Sequence, residues 1–352
     1  MTLVAEHFVS LFTLLGDNAK WKKAIFAFSF DMISIDALVT APFAYTRLIS
    51  NALMRSISAV VYHIAFGNPF IIDFVFQSIA FYGIYKLLSA TEVHARSRLA
   101  VLMLFPSFNI WSSIASKESL IVFGVCIIGA YFLRLSRGEG RFGFLEILAI
   151  FIIFIMKNQY FAPIGFLIGV GVLSTYLRQR TLFVAIAGTV SIWLLWLNRD
   201  RVDELALQAA KHWIGFGHTT REMFFVNQYD VFWKAPEGMW LAFSGPTISE
   251  STKGVLHAFS FVESTLLVAT IIYFVLPRLL RIPVHNLFLG FMAVFWVLFV
   301  NFPVGVMNPG SAVRYRTGFI ALIFIVVAVL LSRDGYMRNG NLSRLFFRKR
   351  VE

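Results

Sequence analysis

Residues 284–302 read VHNLFLGFMAVFWVLFVNF, and this stretch decides the fold class. It contains no Asp, Glu, Lys or Arg. Crossing the hydrocarbon core of a bilayer takes about 20 apolar residues in a helix. The stretch therefore predicts a transmembrane helix.

The rest of the chain repeats this pattern. Hydrophobic residues make up 58% of the 352 residues and charged residues 14%, whereas soluble domains carry about 45–50% and about 25%. The apolar runs predicted to span a membrane are 24–41, 70–88, 99–113, 118–133, 142–156, 159–177, 182–198, 255–277, 284–302 and 317–332. We expect an all-α polytopic membrane protein of about ten transmembrane helices, in which residues 1–332 form a single integral-membrane domain.

The distribution of basic residues predicts the orientation. The chain carries 31 Lys and Arg against 19 Asp and Glu. Most of the basic residues fall in one alternate set of short connections and in the tail 333–352. Cytoplasmic segments carry the excess of Lys and Arg, so both termini are predicted to be cytoplasmic. The tail 333–352 is expected to lie against anionic lipid, and the net charge of +12 indicates topology rather than nucleic-acid binding.

Two of the predicted outer segments have a recognisable character. Residues 44–66 are predicted to form one amphipathic helix on the outer surface. Its apolar positions are Leu48, Ile49, Leu53, Ile57 and Val60, and the positions placed elsewhere on the wheel are Arg47, Asn51, Arg55 and Ser58. The long outer loop 199–253 is predicted to contain a helix over 203–213 and an aromatic stretch over 218–246, which forms either a lid or a platform on the membrane.

Several soluble chemistries are excluded by motif. The chain has no GxxxxGK[ST] phosphate loop, no GxGxxG after a strand, no HExxH and no GxSxG. Its single cysteine, Cys126, lies in an apolar run and is expected to be a core residue. We expect neither a metal nor a cofactor.

The candidate catalytic residues are acids and a histidine near the predicted outer face, where a charge is costly unless it has a function or a partner. Asp36 is near the outer end of the first span and is a candidate general base, or else a residue that caps or pairs at a helix end. Glu118 lies in the unusual stretch 106–119, which is predicted to make a re-entrant turn or an ordinary helix corner. His218, in the long loop, is a candidate base or a surface residue.

The candidate substrate-binding residues are Lys117, Arg314, Arg316, Lys157, Arg221 and Trp111. Arginine matches phosphate oxygens with two parallel hydrogen bonds. Arg314 and Arg316 therefore bind a pyrophosphate or form structural salt bridges, and they point about 200° apart on a helix, so that at most one faces a given site. Glu263, within the eighth span, is either a proton site or the partner of a buried arginine.

Two stretches resemble a known group of proteins. PSFNIWSSIASKESLIVF (106–123) and NPGSAVRYRTGFI (308–320) resemble stretches in membrane proteins of bacterial polysaccharide gene clusters, and FSGPTISES with FSFVESTLL resembles a third region between them. Those proteins are regarded as Wzy-type O-antigen or exopolysaccharide polymerases, or as glycosyltransferases of the GT-C class. Asp36 followed by a surface helix over 44–66 also resembles the GT-C plan.

The resemblance implies a location, a substrate and a mechanism. The protein would lie in the bacterial inner membrane and act on a polyprenyl-diphosphate-linked glycan, with membrane lipid and possible polysaccharide-assembly proteins as partners and no nucleic acid. Arg314, Arg316 and Lys117 would neutralise the diphosphate, and Asp36, Glu118 or His218 would deprotonate the acceptor. The alternatives are a flippase for the same lipid-linked sugar and a non-catalytic partner of an assembly complex.

Overall fold

A computed structural model describes residues 42–139, 142–211 and 221–332. All regular elements in these three ranges are helical. The α-helices in chain order are α1 (Pro42–Ile64), α2 (Pro69–Ala90), α3 (Val93–Met103), α4 (Pro106–Ser113), α5 (Lys117–Leu135), α6 (Phe144–Lys157), α7 (Phe161–Gly165), α8 (Gly171–Tyr176), α9 (Arg180–Leu197), α10 (Arg199–Lys211), α11 (Asp230–Trp233), α12 (Ala235–Ser244), α13 (Ile248–Ser251), α14 (Val255–Val275), α15 (Val284–Gly305) and α16 (Pro309–Leu331). A π-helical turn joins α7 to α8, and a 3₁₀ turn extends α14 to Arg281.

Seven helical segments in the described ranges are long and apolar enough to cross a membrane. They are Pro69–Ala90, Lys117–Leu135, Phe144–Tyr176, Arg180–Leu197, Val255–Arg281, Val284–Gly305 and Ala312–Leu331. This agrees with the prediction of an all-α polytopic membrane protein. The first predicted span, 24–41, lies outside the described residues, and the count of ten stays a prediction.

The two ends of the bundle are named here after α5, which begins at Lys117 and has Arg134 in its last turn. At the Arg134 end, Arg134 pairs with Glu146 in the first turn of α6 at 2.8 Å. At the other end of α6, Lys157 has φ −154° and ψ 67°, which are not helical angles. The helix α6 therefore runs antiparallel to α5 and ends at Lys157.

The segment after Lys157 turns back along α5. A methyl group on Gly318 would lie 2.8 Å from the Tyr160 hydroxyl, near the Lys117 end, and one on Gly171 would lie 3.1 Å from the Phe132 ring, near the Arg134 end. The segment Phe144–Tyr176 thus reverses direction at Lys157. The sequence predicted this reversal, because polar residues at 157–160 lie between the apolar runs 142–156 and 159–177.

The predicted span 99–113 is not one helix. It is divided between α3 and α4, with Leu104 and Phe105 at the break, because Pro106 has no N–H and cannot continue a helix from the preceding turn. The Asn109 amide donates hydrogen bonds to the carbonyl oxygens of Met103 at 2.8 Å and Phe105 at 3.2 Å, which satisfies groups that the break exposes. The predicted re-entrant turn is therefore a short helix, α4, with a brief connection before Lys117.

The helix predicted over 44–66 is present as α1, but its buried face differs from the predicted one. Ile49 and Leu53 are buried as expected, whereas Leu48 is 59% exposed, Val60 is 44% exposed and Ser58 is buried. The buried stripe contains several small residues, and α1 packs against α6. Small side chains allow two helices to approach closely, and this packing outweighs the preference for covering the larger apolar residues.

The connection 199–253 packs onto the bundle in its described part. The helix predicted over 203–213 is observed as α10, and residues 212–220 lie outside the described ranges. Phe225, Val231 and Ala242 form an apolar cluster with Phe302 of α15. This part of the predicted lid is therefore fixed against α15.

The helices α2 and α5 approach each other backbone to backbone at Gly83 and Phe123. A methyl group on Gly83 would lie 2.7 Å from the Cα atom of Phe123. No side chain larger than hydrogen fits at this position without moving one of the two backbones. The contact fixes α5, and with it the first turn that carries Lys117 and Glu118.

Candidate functional site

Most of the predicted polar site residues that the structure describes lie at the Lys117 end of the bundle. Trp111 is in α4, Lys117 and Glu118 begin α5, Lys157 ends α6, and Arg314 lies in the second turn of α16. Four separate segments of the chain therefore supply one cluster, which we call the cationic site.

Arg314 and Glu118 form the centre of the cationic site. The Arg314 Nε and Nη2 atoms donate to the two Glu118 carboxylate oxygens at 3.1 and 3.2 Å. The Glu118 side chain is 3% exposed, whereas the Arg314 side chain is 32% exposed. Trp111 lies against the guanidinium, with its ring centroid 5.3 Å away. A planar guanidinium held over an aromatic ring keeps its outward N–H groups in a fixed orientation.

Lys157 adds a second positive charge to the cationic site. Its Nζ atom lies 4.3 Å from the centroid of the Tyr315 ring, and its charge acts on the Glu118 carboxylate together with that of Arg314. Tyr160, three residues later, is completely buried. Within the described part of the chain, its hydroxyl has no hydrogen-bond partner.

Lys117 points toward α1. Its Nζ atom donates hydrogen bonds to the Ser50 hydroxyl at 2.8 Å and to the Asn51 amide oxygen at 2.5 Å. Neither Ser50 nor Asn51 was predicted as a site residue, because the contact joins positions 66 and 67 residues apart in the chain. Lys117 thus links α1 to the cationic site, and its role toward an anionic headgroup stays a prediction.

Arg316 is a structural residue. It is 1% exposed, and its Nη2 atom pairs with the Glu263 carboxylate at 2.5 Å. Its Nη1 atom donates to the Ser264 hydroxyl at 2.6 Å and to the Phe243 carbonyl oxygen at 2.9 Å. Of the two predicted roles, the salt bridge is observed, and burial removes Arg316 from the candidate ligand-binding set.

Glu263 is the partner of a buried arginine, which is one of the two roles predicted for it. Its second carboxylate oxygen accepts a hydrogen bond of 2.6 Å from the Ser107 hydroxyl, at the start of α4. Arg314 and Arg316 therefore pair with different carboxylates on different helices, as their predicted angular separation requires.

Arg221 is also a structural residue. Its Nε and Nη2 atoms donate to the two Glu250 carboxylate oxygens at 2.6 and 2.7 Å, and its Nη1 atom donates to the Val306 carbonyl oxygen at 2.7 Å. The pair ties the 199–253 connection to the end of α15. Arg221 was predicted to bind substrate, but its donors are used within the protein.

The Arg221–Glu250 pair predicts a pH-dependent stability. Burial raises the pKa of the Glu250 carboxyl, but the hydrogen bonds from Arg221 and the Thr247 N–H overcome this effect and hold the pKa at about 2, below the ordinary value of 4.5. The stabilisation is present above pH 4.5 and is lost as the pH falls toward about 2. We expect a Glu250→Gln variant to lose less stability than wild type on acidification from pH 5 to pH 3.

Thermal unfolding of the purified protein in detergent measures this difference. Glu204→Gln, which removes the partner of the exposed residue Arg201, serves as the control and should follow wild type. Parallel pH dependences in wild type and Glu250→Gln would contradict the prediction.

Two of the candidate bases, Asp36 and His218, lie outside the described residues, and their roles stay predictions. Glu118 is described, and its buried carboxylate is already engaged by Arg314. This geometry suits a residue that positions Arg314 better than one that accepts a proton from a substrate hydroxyl, since a base must reach that hydroxyl.

The cationic site is suited to an anion. Among its described residues, Lys117, Lys157 and Arg314 are positive and Glu118 is negative. No group of three or more His, Cys, Asp or Glu residues able to hold a metal ion occurs in 42–139, 142–211 and 221–332. The exposed face of Arg314 beside Trp111 offers both paired N–H donors and an aromatic surface, which are the features that recognise phosphate and sugar rings.

Comparison with protein-family models, with curated proteins and with solved structures finds no match to this chain. The ligand of the cationic site therefore has to be inferred from its charges and geometry.

Proposed function

We propose that this chain is a membrane glycosyltransferase or polymerase that acts on a polyprenyl-diphosphate-linked glycan in surface polysaccharide biosynthesis. The observation that carries the proposal is the cationic site, where the accessible residue Arg314 lies against Trp111 and Lys157 lies against the neighbouring Tyr315, at one end of apolar helices. A diphosphate at the end of a polyprenyl chain places its charges at this level when the chain lies in the membrane.

The proposed reaction is a glycosyl transfer. A hydroxyl oxygen of the acceptor sugar forms a bond to the anomeric carbon of the lipid-linked donor. The bond from that carbon to the diphosphate oxygen breaks, and the diphosphate leaves with the electron pair. The hydroxyl proton passes to a base, for which Asp36 and His218 are the preferred candidates because Glu118 is buried against Arg314.

Arg314 would stabilise the diphosphate as it leaves, and Lys157 would offset the charge of Glu118 beside it. Hydrogen bonds from a guanidinium to phosphate are charge-assisted and can form in pairs. Fixed donors placed where negative charge develops lower the barrier because they need no reorganisation during the reaction. The contact with Trp111 provides this fixation for Arg314.

The orientation of the site is part of the proposal. The Arg134 end of the bundle holds a group of arginines, namely Arg96, Arg98, Arg134, Arg137, Arg178 and Arg180. The positive-inside rule places this basic end in the cytoplasm. The cationic site then faces the outside of a bacterial inner membrane, where lipid-linked glycans are polymerised.

One observation favours a flippase as the second candidate. The break between α3 and α4 divides one pass into two short helices, and discontinuous helices are common at transport sites. In this case the cationic site would hold the diphosphate without any bond being made.

Complementation of a strain deleted for this gene tests the proposal, with the surface glycan resolved by length on a gel. Wild type is expected to restore long chains, whereas Arg314→Ala, Lys117→Ala and Asp36→Asn are expected to leave short glycan on the surface. Arg201→Ala is the control, because Arg201 lies in α10 and pairs with Glu204 of the same helix. Loss of all surface glycan with retention of the lipid-linked precursor inside would show transport instead.

A further inference from the structure

We infer that the Glu118 carboxylate has two alternative sets of partners. Without ligand it pairs with Arg314. When a phosphate group binds Arg314, the released carboxylate pairs with Lys157 and Tyr160 instead. The inference rests on the proposed function only in taking a phosphate-containing molecule as the ligand. It concerns how the cationic site binds a phosphate, whether that phosphate is a lipid headgroup or a free anion.

The Arg314–Glu118 pair is looser than the arginine pairs of the other buried glutamates, Glu146, Glu250 and Glu263. Its two hydrogen bonds are 3.1 and 3.2 Å long. The bidentate pair of Arg221 and Glu250 has bonds of 2.6 and 2.7 Å. Charge-assisted N–H···O bonds are usually about 2.7–2.9 Å long. Arg314 therefore holds Glu118 more weakly than a structural arginine holds its partner.

Of the two residues in the pair, only Arg314 is accessible from outside the protein. Arg314 presents about a third of its side chain, whereas Glu118 is 3% exposed. The Trp111 ring supports the guanidinium independently of the carboxylate. An anion can thus reach Arg314 directly, while Glu118 stays inside the protein.

A carboxylate released in a buried position needs new partners, because an uncompensated buried charge is strongly destabilising. Lys157 meets this need. Its ammonium group already acts on Glu118 through its charge, and in the described part of the chain it makes its close contact with the Tyr315 ring rather than with a carboxylate. Its position near Glu118 leaves it available to the released carboxylate.

Tyr160 supplies a hydrogen bond to the released Glu118 carboxylate. Its hydroxyl is fully buried and has no hydrogen-bond partner among the described residues, and it interacts electrostatically with Glu118. A buried hydroxyl without a partner is costly, and such groups in native proteins call for an explanation. Donation to Glu118 in the ligand-bound state provides one.

The charge balance points to phosphate as the ligand class. The positive charges that act on Glu118 are those of Arg314 and Lys157. Lys117 is bonded to side chains of α1. If Lys157 neutralises Glu118, the full charge and the donor fork of Arg314 are free for the ligand. A phosphate oxygen pair fits that fork.

Pyrophosphate binding to the purified full-length chain in nanodiscs tests the exchange, with tryptophan fluorescence as the readout because Trp111 lies against Arg314. Glu118→Gln removes the internal competitor and is expected to raise the affinity about tenfold. Tyr160→Phe removes the second partner and is expected to lower it by about fivefold or more. Glu250→Gln, which changes a structural pair, is the matched control and should bind as wild type does.

A double variant separates exchange from direct contact. If Tyr160 acts through Glu118, Tyr160→Phe loses most of its effect in the Glu118→Gln background, whereas a direct bond from Tyr160 to pyrophosphate gives the same loss in both backgrounds. Unchanged or weaker binding by Glu118→Gln, or an equal effect of Tyr160→Phe in both backgrounds, would overturn the inference. Thermal unfolding of each variant shows that it is folded.

The source of the phosphate is distinguished by a second arm, in which nanodiscs containing polyprenyl diphosphate replace free pyrophosphate. If the variants change the binding of polyprenyl diphosphate as predicted but pyrophosphate does not bind, the site recognises a lipid headgroup. If they change the binding of pyrophosphate as predicted, the site is open to free anions. Binding in neither arm overturns the inference. A positive binding pattern with a failed glycan assay would refute the glycosyltransferase proposal and leave the exchange intact.

Discussion

Replacing Arg316 by methionine is expected to lower the free energy of unfolding by about 3–5 kcal/mol, because it leaves a buried carboxylate without its counter-ion. Glu263 is 5% exposed and has Arg316 as its ion-pair partner. The substitution also removes the donor to the Phe243 carbonyl oxygen and the Ser264 hydroxyl. Chemical denaturation in detergent, followed by circular dichroism, measures the loss.

Removing both charges separates the ion pair from the packing. The double variant Arg316→Met with Glu263→Leu is expected to recover most of the stability, since well-packed apolar residues can replace a buried ion pair at little cost. Arg201→Met is the control, because exposed ion pairs contribute about 0–1 kcal/mol. A double variant as unstable as Arg316→Met would show that the hydrogen bonds, rather than the charges, stabilise this junction.

Replacing Arg314 by alanine is expected to lower glycan transfer by about 10²–10³-fold, which is the effect of removing one fixed donor from a site of developing negative charge. Arg314→Lys should be intermediate, because lysine keeps the charge but cannot make two parallel hydrogen bonds. Transfer by isolated membranes from a lipid-linked donor provides the measurement.

The stability of the Arg314 variants provides the control for this second prediction. Arg314→Ala should destabilise the chain less than Arg316→Met, because Lys157 also acts on Glu118 whereas the ion-pair partner of Glu263 is Arg316. Wild-type transfer by Arg314→Ala would remove Arg314 from the proposed mechanism, and a stability loss as large as that of Arg316→Met would make Arg314 a structural residue.

The sequence predicted the positions of most helices because the length of an apolar run is a local property. The reversal at Lys157 was also predictable, from polar residues that interrupt two apolar runs. The buried face of α1 was not, because Ser58 is covered by packing against another helix and hydropathy does not report such contacts.

The site was predicted as a set of residue types but not as a set of contacts. Glu118 and Arg314 were both candidates, yet they are 196 positions apart and were assigned separate roles as a base and a phosphate ligand. Arg314 and Arg316 belong to the same motif, and their separation on the helix was predicted. Which one is buried depends on Glu263 and on the Phe243 carbonyl oxygen, and tertiary packing alone determines that choice.

The glycine contact between α2 and α5 has a mechanical consequence. Since a methyl group on Gly83 would lie 2.7 Å from the Phe123 Cα atom, the two helices meet backbone to backbone and behave as one rigid strut. By contrast, α5 meets α1 through the long side chain of Lys117. Long side chains change rotamer at low cost, so we expect α1 to move relative to α5 more readily than α2 does.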